Sequence, residues 1–151
     1  VAGRDGLHGS VQVLLDEAQS RAFIDRPLVV EGRQIGTLHA ELNISPLLAE
    51  RREVRWLSYP GHPSHPQHEL ARRLLTGGSG GMLSLRLEGG AEAMYAFVNA
   101  LELAAIGVSL GDLKTLAYPM PKRDDLIRLS IGCEDVEDVL ADVERGLAAI
   151  T

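Results

Sequence analysis

Two spacings of apolar residues divide this chain. Alternation at every second position marks strands, and recurrence at every third or fourth marks helices. Val54 to Tyr59 alternates and stops at Pro60-Gly61, so it reads as a strand. Met82 to Leu87 also alternates, with Met82, Ser84 and Arg86 on one face and Leu83, Leu85 and Leu87 on the other. Ile127 to Ile131 is the clearest strand: Ile127, Leu129 and Ile131 face one way, Arg128 and Ser130 the other. Leu113 to Tyr118 is a further strand candidate, and Ile106 to Ser109 a short extended piece.

Helical spacing fills the gaps. Ser10 suits the N-cap of a helix from Val11 to about Phe23, whose stripe is Leu14, Leu15, Ala18, Ala22 and Phe23. Pro27 ends it by disfavouring helix at Arg26. Residues 28–50 are ambiguous, and Pro46 removes a backbone donor there, so two pieces or a kink are expected around Ser45-Pro46. Pro66 sits at a tolerated first position for a helix over Gln67 to Leu75. Thr76 to Gly81 is glycine-rich and reads as a flexible loop. Gly89-Gly90 launches a helix from Ala91 to about Ala104, with Met94, Phe97, Val98 and Leu101 on one side. The last helix runs from about Val136 to Ile150 on a stripe of Val136, Val139, Leu140, Val143, Leu147 and Ile150. Glu134, Asp135, Glu137 and Asp138 crowd its first turn, which suits the positive end of its dipole. The order predicts an α+β fold: a mainly antiparallel sheet of about four strands with helices on one face.

Composition narrows the function classes. At 151 residues the chain is one domain, or one domain with an appendage. Net charge is −6 with scattered Lys and Arg, which argues against nucleic acid or an anionic membrane as partner. Aromatics are few, at 4%, so the core is built from Leu, Val, Ile and Ala. The single cysteine, Cys133, excludes an internal disulfide and fits a reducing compartment such as the cytoplasm. No apolar run is long enough to span a bilayer, and VAGRDG lacks the apolar core of a signal peptide.

Several constellations are candidates for chemistry. Arg128 lies mid-strand on the polar face, where a guanidinium can grip a carboxylate with two parallel hydrogen bonds. On spacing alone the commoner reading is a surface arginine paired with Asp124 or Glu134. His62, His65 and His68 have zinc-compatible spacing, yet Pro63 and Pro66 interrupt them and no further ligand completes a site, so turn and cap roles are expected. Thr76 to Gly81 lacks the lysine of a phosphate loop. Carboxylates near Cys133 predict a raised thiol pKa and low reactivity.

Tyr59-Pro60-Gly61, then Ser64 to Glu69, then Gly80 to Ser84 form an ordered set of motifs. The set resembles the C-terminal domain of the pyridoxal-phosphate-dependent Cys/Met-metabolism enzymes, the group of cystathionine gamma-synthase, cystathionine lyase, methionine gamma-lyase and homoserine sulfhydrylase. The resemblance covers about residues 50–151; residues 1–49 read as a divergent helical lead-in, with Gly32, Thr37 and Leu38 as remnants of a long family helix. It implies the small-domain fold of fold-type I pyridoxal-phosphate enzymes. It also implies that Arg128, in the intact Ile127 to Gly132 motif, binds the α-carboxylate of an amino-acid substrate. Ser109-Leu110-Gly111 is similar to the family's Ser-Leu-Gly segment, whose serine lies near that carboxylate. Asp112 stands where a second glycine is usual and would repel a carboxylate. A strand-to-loop turn with Ser109 capping backbone donors is the equal alternative.

A pyridoxal enzyme also needs a lysine for the aldimine, a stacking ring and phosphate donors. In the family these lie in a large upstream domain. Here the lysines are Lys114 and Lys122, neither in the family's context, and Met120 to Leu126 shortens the loop before the arginine strand. The expectation is therefore a substrate-carboxylate-binding small domain for β- or γ-elimination or replacement on sulfur amino acids. It is not expected to bind pyridoxal phosphate or to catalyse alone. The alternative is a stand-alone module that binds a small amino acid or a partner chain. Family enzymes are typically homotetramers, which leaves a homo-oligomer open here.

Overall fold

The computed structural model describes residues 28–30, 33–35, 39–75 and 78–150. The helix expected over Val11 to Phe23 lies outside the described residues, as do Gly32, Thr37, Leu38, Thr76 and Gly77. In chain order the elements are β1 (Leu28–Val30), β2 (Arg33–Ile35), α1 (His39–Ala49), β3 (Val54–Ser58), α2 (His68–Leu74) and β4 (Met82–Leu87). Then come α3 (Gly90–Ala100), β5 (Ala105–Ile106), β6 (Leu116–Met120), a 3-10 turn (Pro121–Arg123), β7 (Leu126–Ser130) and α4 (Val136–Ala148).

The main sheet has five strands in the order β3-β4-β7-β6-β5. The β3–β4, β4–β7 and β6–β7 pairs are antiparallel, but β5 runs parallel to β6. This mixed sheet corrects the expected mainly antiparallel sheet of about four strands. The extra strand is only Ala105 and Ile106, both exposed, and two residues are too few to show alternation. A second departure is the β1–β2 antiparallel hairpin, where a helical lead-in was expected. Leu28, Val29, Val30 and Ile35 are mostly β-branched, and such residues favour a pleated strand over a helix.

The helices cover one face of the sheet. Leu83, Leu85 and Leu87 of β4, Ile127 and Leu129 of β7, and Ala117 of β6 are buried there. Met94, Phe97 and Val98 of α3 and Val139, Val143 and Leu147 of α4 close over them in one core. The alternation in β4 matches its burial residue by residue. Gly89 and Gly90 turn the chain into α3 at φ 93° and 62°, a region that costs other residues strain. Asp135 caps α4, its carboxylate accepting the Glu137 N–H at 3.0 Å.

Helix α1 runs through Pro46 as one element, not two. Ile44 and Leu48 stand one turn apart on either side of the proline, and both are fully buried. Burying each contributes about 1.5–3 kcal/mol, which offsets the roughly 3 kcal/mol that an interior proline costs.

Candidate functional site

The second face of the sheet carries the polar row. Strand register places Ser58, Ser84, Arg128 and Tyr118 side by side across β3, β4, β7 and β6. Directly paired residues share a face, so their side chains form one line. The next row begins Trp56–Arg86. The Arg128 guanidinium carbon lies 5.2 Å from the Tyr118 ring centroid, and that of Arg86 lies 4.4 Å from the Trp56 ring.

Arg128 is not paired with either carboxylate that its spacing suggested. Asp124 is held at 2.9 Å by Arg86 and at 3.3 Å by Arg55. Glu134 is taken by Thr115, whose N–H and hydroxyl donate to it at 2.6 and 2.8 Å. Arg128 instead donates through Nη2 to two backbone carbonyls, Val108 at 2.7 Å and Ser109 at 2.9 Å. Its Nε is buried and has no hydrogen-bond partner among the described residues. An unsatisfied buried donor costs about 1–3 kcal/mol, more when charged.

Residues 107–115 form a strap over this arginine. The strap begins where the Gly107 N–H meets the Ala117 carbonyl at 3.1 Å. Gly111, at φ 68°, donates its N–H to Ser130 Oγ at 2.9 Å, which buries Ser130 on the face it shares with Arg128. The strap therefore brings Ser109 to Arg128 through the serine carbonyl. The Asp112 carboxylate turns back to the Lys114 N–H at 3.3 Å.

Two carboxylates anchor the segments flanking the strap. Glu134 holds Thr115, and Asp142 of α4 accepts the Glu102 and Ala104 N–H groups at 2.7 and 2.9 Å just before β5. Sequence reasoning missed Tyr118, Thr115 and Asp142. Tyr118 could have been found by aligning β6 with β7; Asp142 carries no local signal, because its partners lie some 40 residues away.

The histidines behave as turn residues. His62 Nδ1 pairs with Ser64 Oγ at 2.7 Å, His65 Nδ1 accepts the Gln67 N–H at 3.2 Å, and His68 Nδ1 donates to the Pro60 carbonyl at 2.9 Å. No group of three metal-ligating side chains occurs among the described residues. Tyr59 is buried, and Gly61 lies so close to its ring that any side chain there would collide. Burial, and then the Glu134 carboxylate, push the Cys133 thiol above its ordinary range. No described helix is long and apolar enough to cross a membrane.

A sequence model described as "Cys/Met metabolism PLP-dependent enzyme" matches residues 37–148. The chain belongs to that family. L-methionine gamma-lyase of Pseudomonas putida is 38% identical over 122 residues, 70% of this chain and 30% of the lyase. O-acetyl-L-homoserine sulfhydrylase 1 of Thermus thermophilus is 32% identical over 160 residues, 91% of this chain and 38% of that enzyme. The crystal structure of cystathionine gamma synthase from Xanthomonas oryzae pv. oryzae in complex with cystathionine superposes with a TM-score of 0.70 at 34% identity. That match covers 75% of this chain and 34% of the synthase. The chain thus spans about a third of the length of these relatives.

Family enzymes use pyridoxal phosphate, which is held through a lysine inside an enclosed site. The chain's two lysines do not fit that role. Lys114 and Lys122 are both exposed, one on the strap and one on the turn before β7. A cleft of about 260 Å³ is lined by Glu102, Leu103, Asp138, Ala141, Asp142 and Arg145, and contains neither lysine. The described residues therefore do not make a pyridoxal phosphate site.

Proposed function

We propose that this chain supplies the substrate-carboxylate site of a pyridoxal-phosphate-dependent enzyme acting on sulfur amino acids, with Arg128 as the group that binds the α-carboxylate. The observation that carries the reading is the state of Arg128. It lies mid-sheet on the polar face, with no carboxylate partner among the described residues and a buried Nε that lacks an acceptor there. An acceptor-poor guanidinium in a partly buried site is suited to a planar anion. Ser109 stands beside it on the strap. The relatives' names, a methionine gamma-lyase, an acetylhomoserine sulfhydrylase and a cystathionine gamma synthase, support a reading in which the substrates are amino acids bearing sulfur or a leaving group at the γ carbon.

In this reading residues 50–151 correspond to the C-terminal small domain of such enzymes, preceded by a divergent lead-in. The lysine and the cofactor come from residues other than those described, and the enzyme works in the cytoplasm. In this reading the described residues bind and orient the substrate carboxylate, and the lysine and cofactor supply the chemistry of elimination or replacement.

The test is calorimetric titration of the chain with L-methionine. Weak binding that Arg128→Ala abolishes, and Arg128→Lys reduces by about tenfold through loss of the two-pronged geometry, supports the reading. Equal binding by wild type and Arg128→Ala overturns it.

A further inference from the structure

A guanidinium offers a carboxylate two forks of parallel N–H groups. One pairs Nε with Nη2 along the side, and the other pairs the two terminal nitrogens. Nη2 belongs to both. In Arg128 it is Nη2 that donates to the carbonyls of Val108 and Ser109, at 2.7 and 2.9 Å. Neither fork is open, while Nε stands buried and unpartnered among the described residues. The strap carbonyls thus occupy the side of the guanidinium on which a carboxylate would sit.

We infer that residues 107–111 are an internal latch on Arg128, displaced when the carboxylate of an amino-acid ligand binds; the inference rests on the carboxylate role proposed above. The ligand takes Nε and Nη2, and the carbonyls of Val108 and Ser109 leave. An anion replaces two neutral acceptors at a charged donor, and the orphaned Nε gains a partner. The bonds to the carbonyls already carry the guanidinium charge; the carboxylate adds the opposite charge, a two-pronged geometry and a partner for Nε, which gives the exchange its direction.

The latch is built to move. Between Gly107 and Gly111 its hold on the sheet is polar: the Gly107 N–H on Ala117, the Gly111 N–H on Ser130, and the two Arg128 contacts. Val108 and Leu110 are exposed, so little apolar burial opposes displacement. The ends are fixed, because Asp142 ties the chain at 102–104 and Glu134 ties it at Thr115. Movement is therefore confined to the strap, and the cost of moving it is subtracted from the affinity for the ligand.

The experiment is NMR titration of the 151-residue chain with L-methionine, following the Arg128 Nε–H and the backbone amides of Ser109, Leu110 and Gly111. L-methioninamide, which lacks the carboxylate, is the control. Two variants loosen the latch without touching Arg128. Ser130→Ala removes the acceptor of the Gly111 N–H, and Gly111→Ala strains a φ of 68° in open space. We expect L-methionine to move the Nε–H and the strap amides with one shared Kd, and at least one variant to bind it about two- to tenfold more tightly. If the Nε–H shifts while the strap amides stay still, or if neither variant binds more tightly, the latch is overturned and the carboxylate site stands. If L-methionine moves nothing in the parent or in either variant, or the amide binds as well as the acid, the carboxylate reading itself falls.

Discussion

Glu134 accepts both hydrogen-bond donors of Thr115, the backbone N–H at 2.6 Å and the hydroxyl at 2.8 Å. The same hydroxyl accepts the Gly132 N–H at 2.9 Å, and the Cys133 N–H meets the Leu113 carbonyl at 2.8 Å. One carboxylate thus ties the start of β6 to the segment that follows β7. The strap over Arg128 ends at this knot, so its far end cannot drift.

Glu134→Ala leaves the Thr115 N–H, only 2% exposed as a residue, without its acceptor. The expected loss is about 1–3 kcal/mol of stability. Glu134→Gln keeps an acceptor oxygen and loses less. Urea unfolding of the two variants beside the parent measures both; equal midpoints for all three would contradict the role.

Asp142 is 2% exposed and accepts from two backbone N–H groups and from Arg145, the last at 2.6 Å. Asp142→Ala strands both N–H groups and is expected to cost about 2–4 kcal/mol. Arg145→Ala removes a half-exposed partner and costs under about 1 kcal/mol. Thermal melts separate the two, with the larger drop in Tm expected for Asp142→Ala.

Gly146 lies inside α4, where alanine would ordinarily gain about 1 kcal/mol in helix propensity. A Cβ there would stand 2.7 Å from the Phe97 ring and 3.0 Å from Leu101. Overpacking of a filled core costs about 1–3 kcal/mol, so the clash outweighs the propensity. Gly146→Ala is expected to lower the unfolding midpoint, and Gly146→Ala combined with Phe97→Leu to recover part of it.

Cys133 is expected to resist alkylation near neutral pH. Burial and Glu134 raise the folded thiol's pKa, so the unfolded chain gives up its proton first as pH rises. The thiol's contribution to stability is complete below the unfolded thiol's range and is lost as pH climbs through the folded value. Iodoacetamide rates against pH should show a midpoint above that of the urea-unfolded chain, and Glu134→Gln should lower it.

Much of the sheet is legible in the sequence because two of its strands, β4 and β7, bury one face. The alternation of β4 and of Ile127 to Leu129 is burial written in apolar letters. β5 is not legible, since Ala105 and Ile106 are exposed and are placed by an aspartate far along the chain. Arg128 stands out by motif and by position. Its partners do not, because carbonyls belong to every residue and carry no identity. Spacing pointed to Asp124, yet Asp124 adopts φ 55° in its turn and is taken by Arg86 and Arg55. The hairpin at Leu28 to Ile35 escaped because β-branched letters over three-residue strands are too short to outvote a helical expectation.

The strand order has a consequence for how the chain acquires its shape. The middle of the sheet is the β4–β7 pair, which joins Met82 to Ser130 and Leu85 to Ile127. The partners are separated by more than 40 residues, and β6 joins β3 and β4 only through β7. Closing such a span loses chain entropy before any contact offsets it, which places folding on the slow, non-local side for a domain of this size. During synthesis, β3, β4 and α3 emerge before β7 and α4, so the part of the core that Ile127, Leu129, Val139, Val143 and Leu147 complete stays uncovered until the end of this stretch is made. The last quarter of the chain therefore determines when the first part stops being sticky.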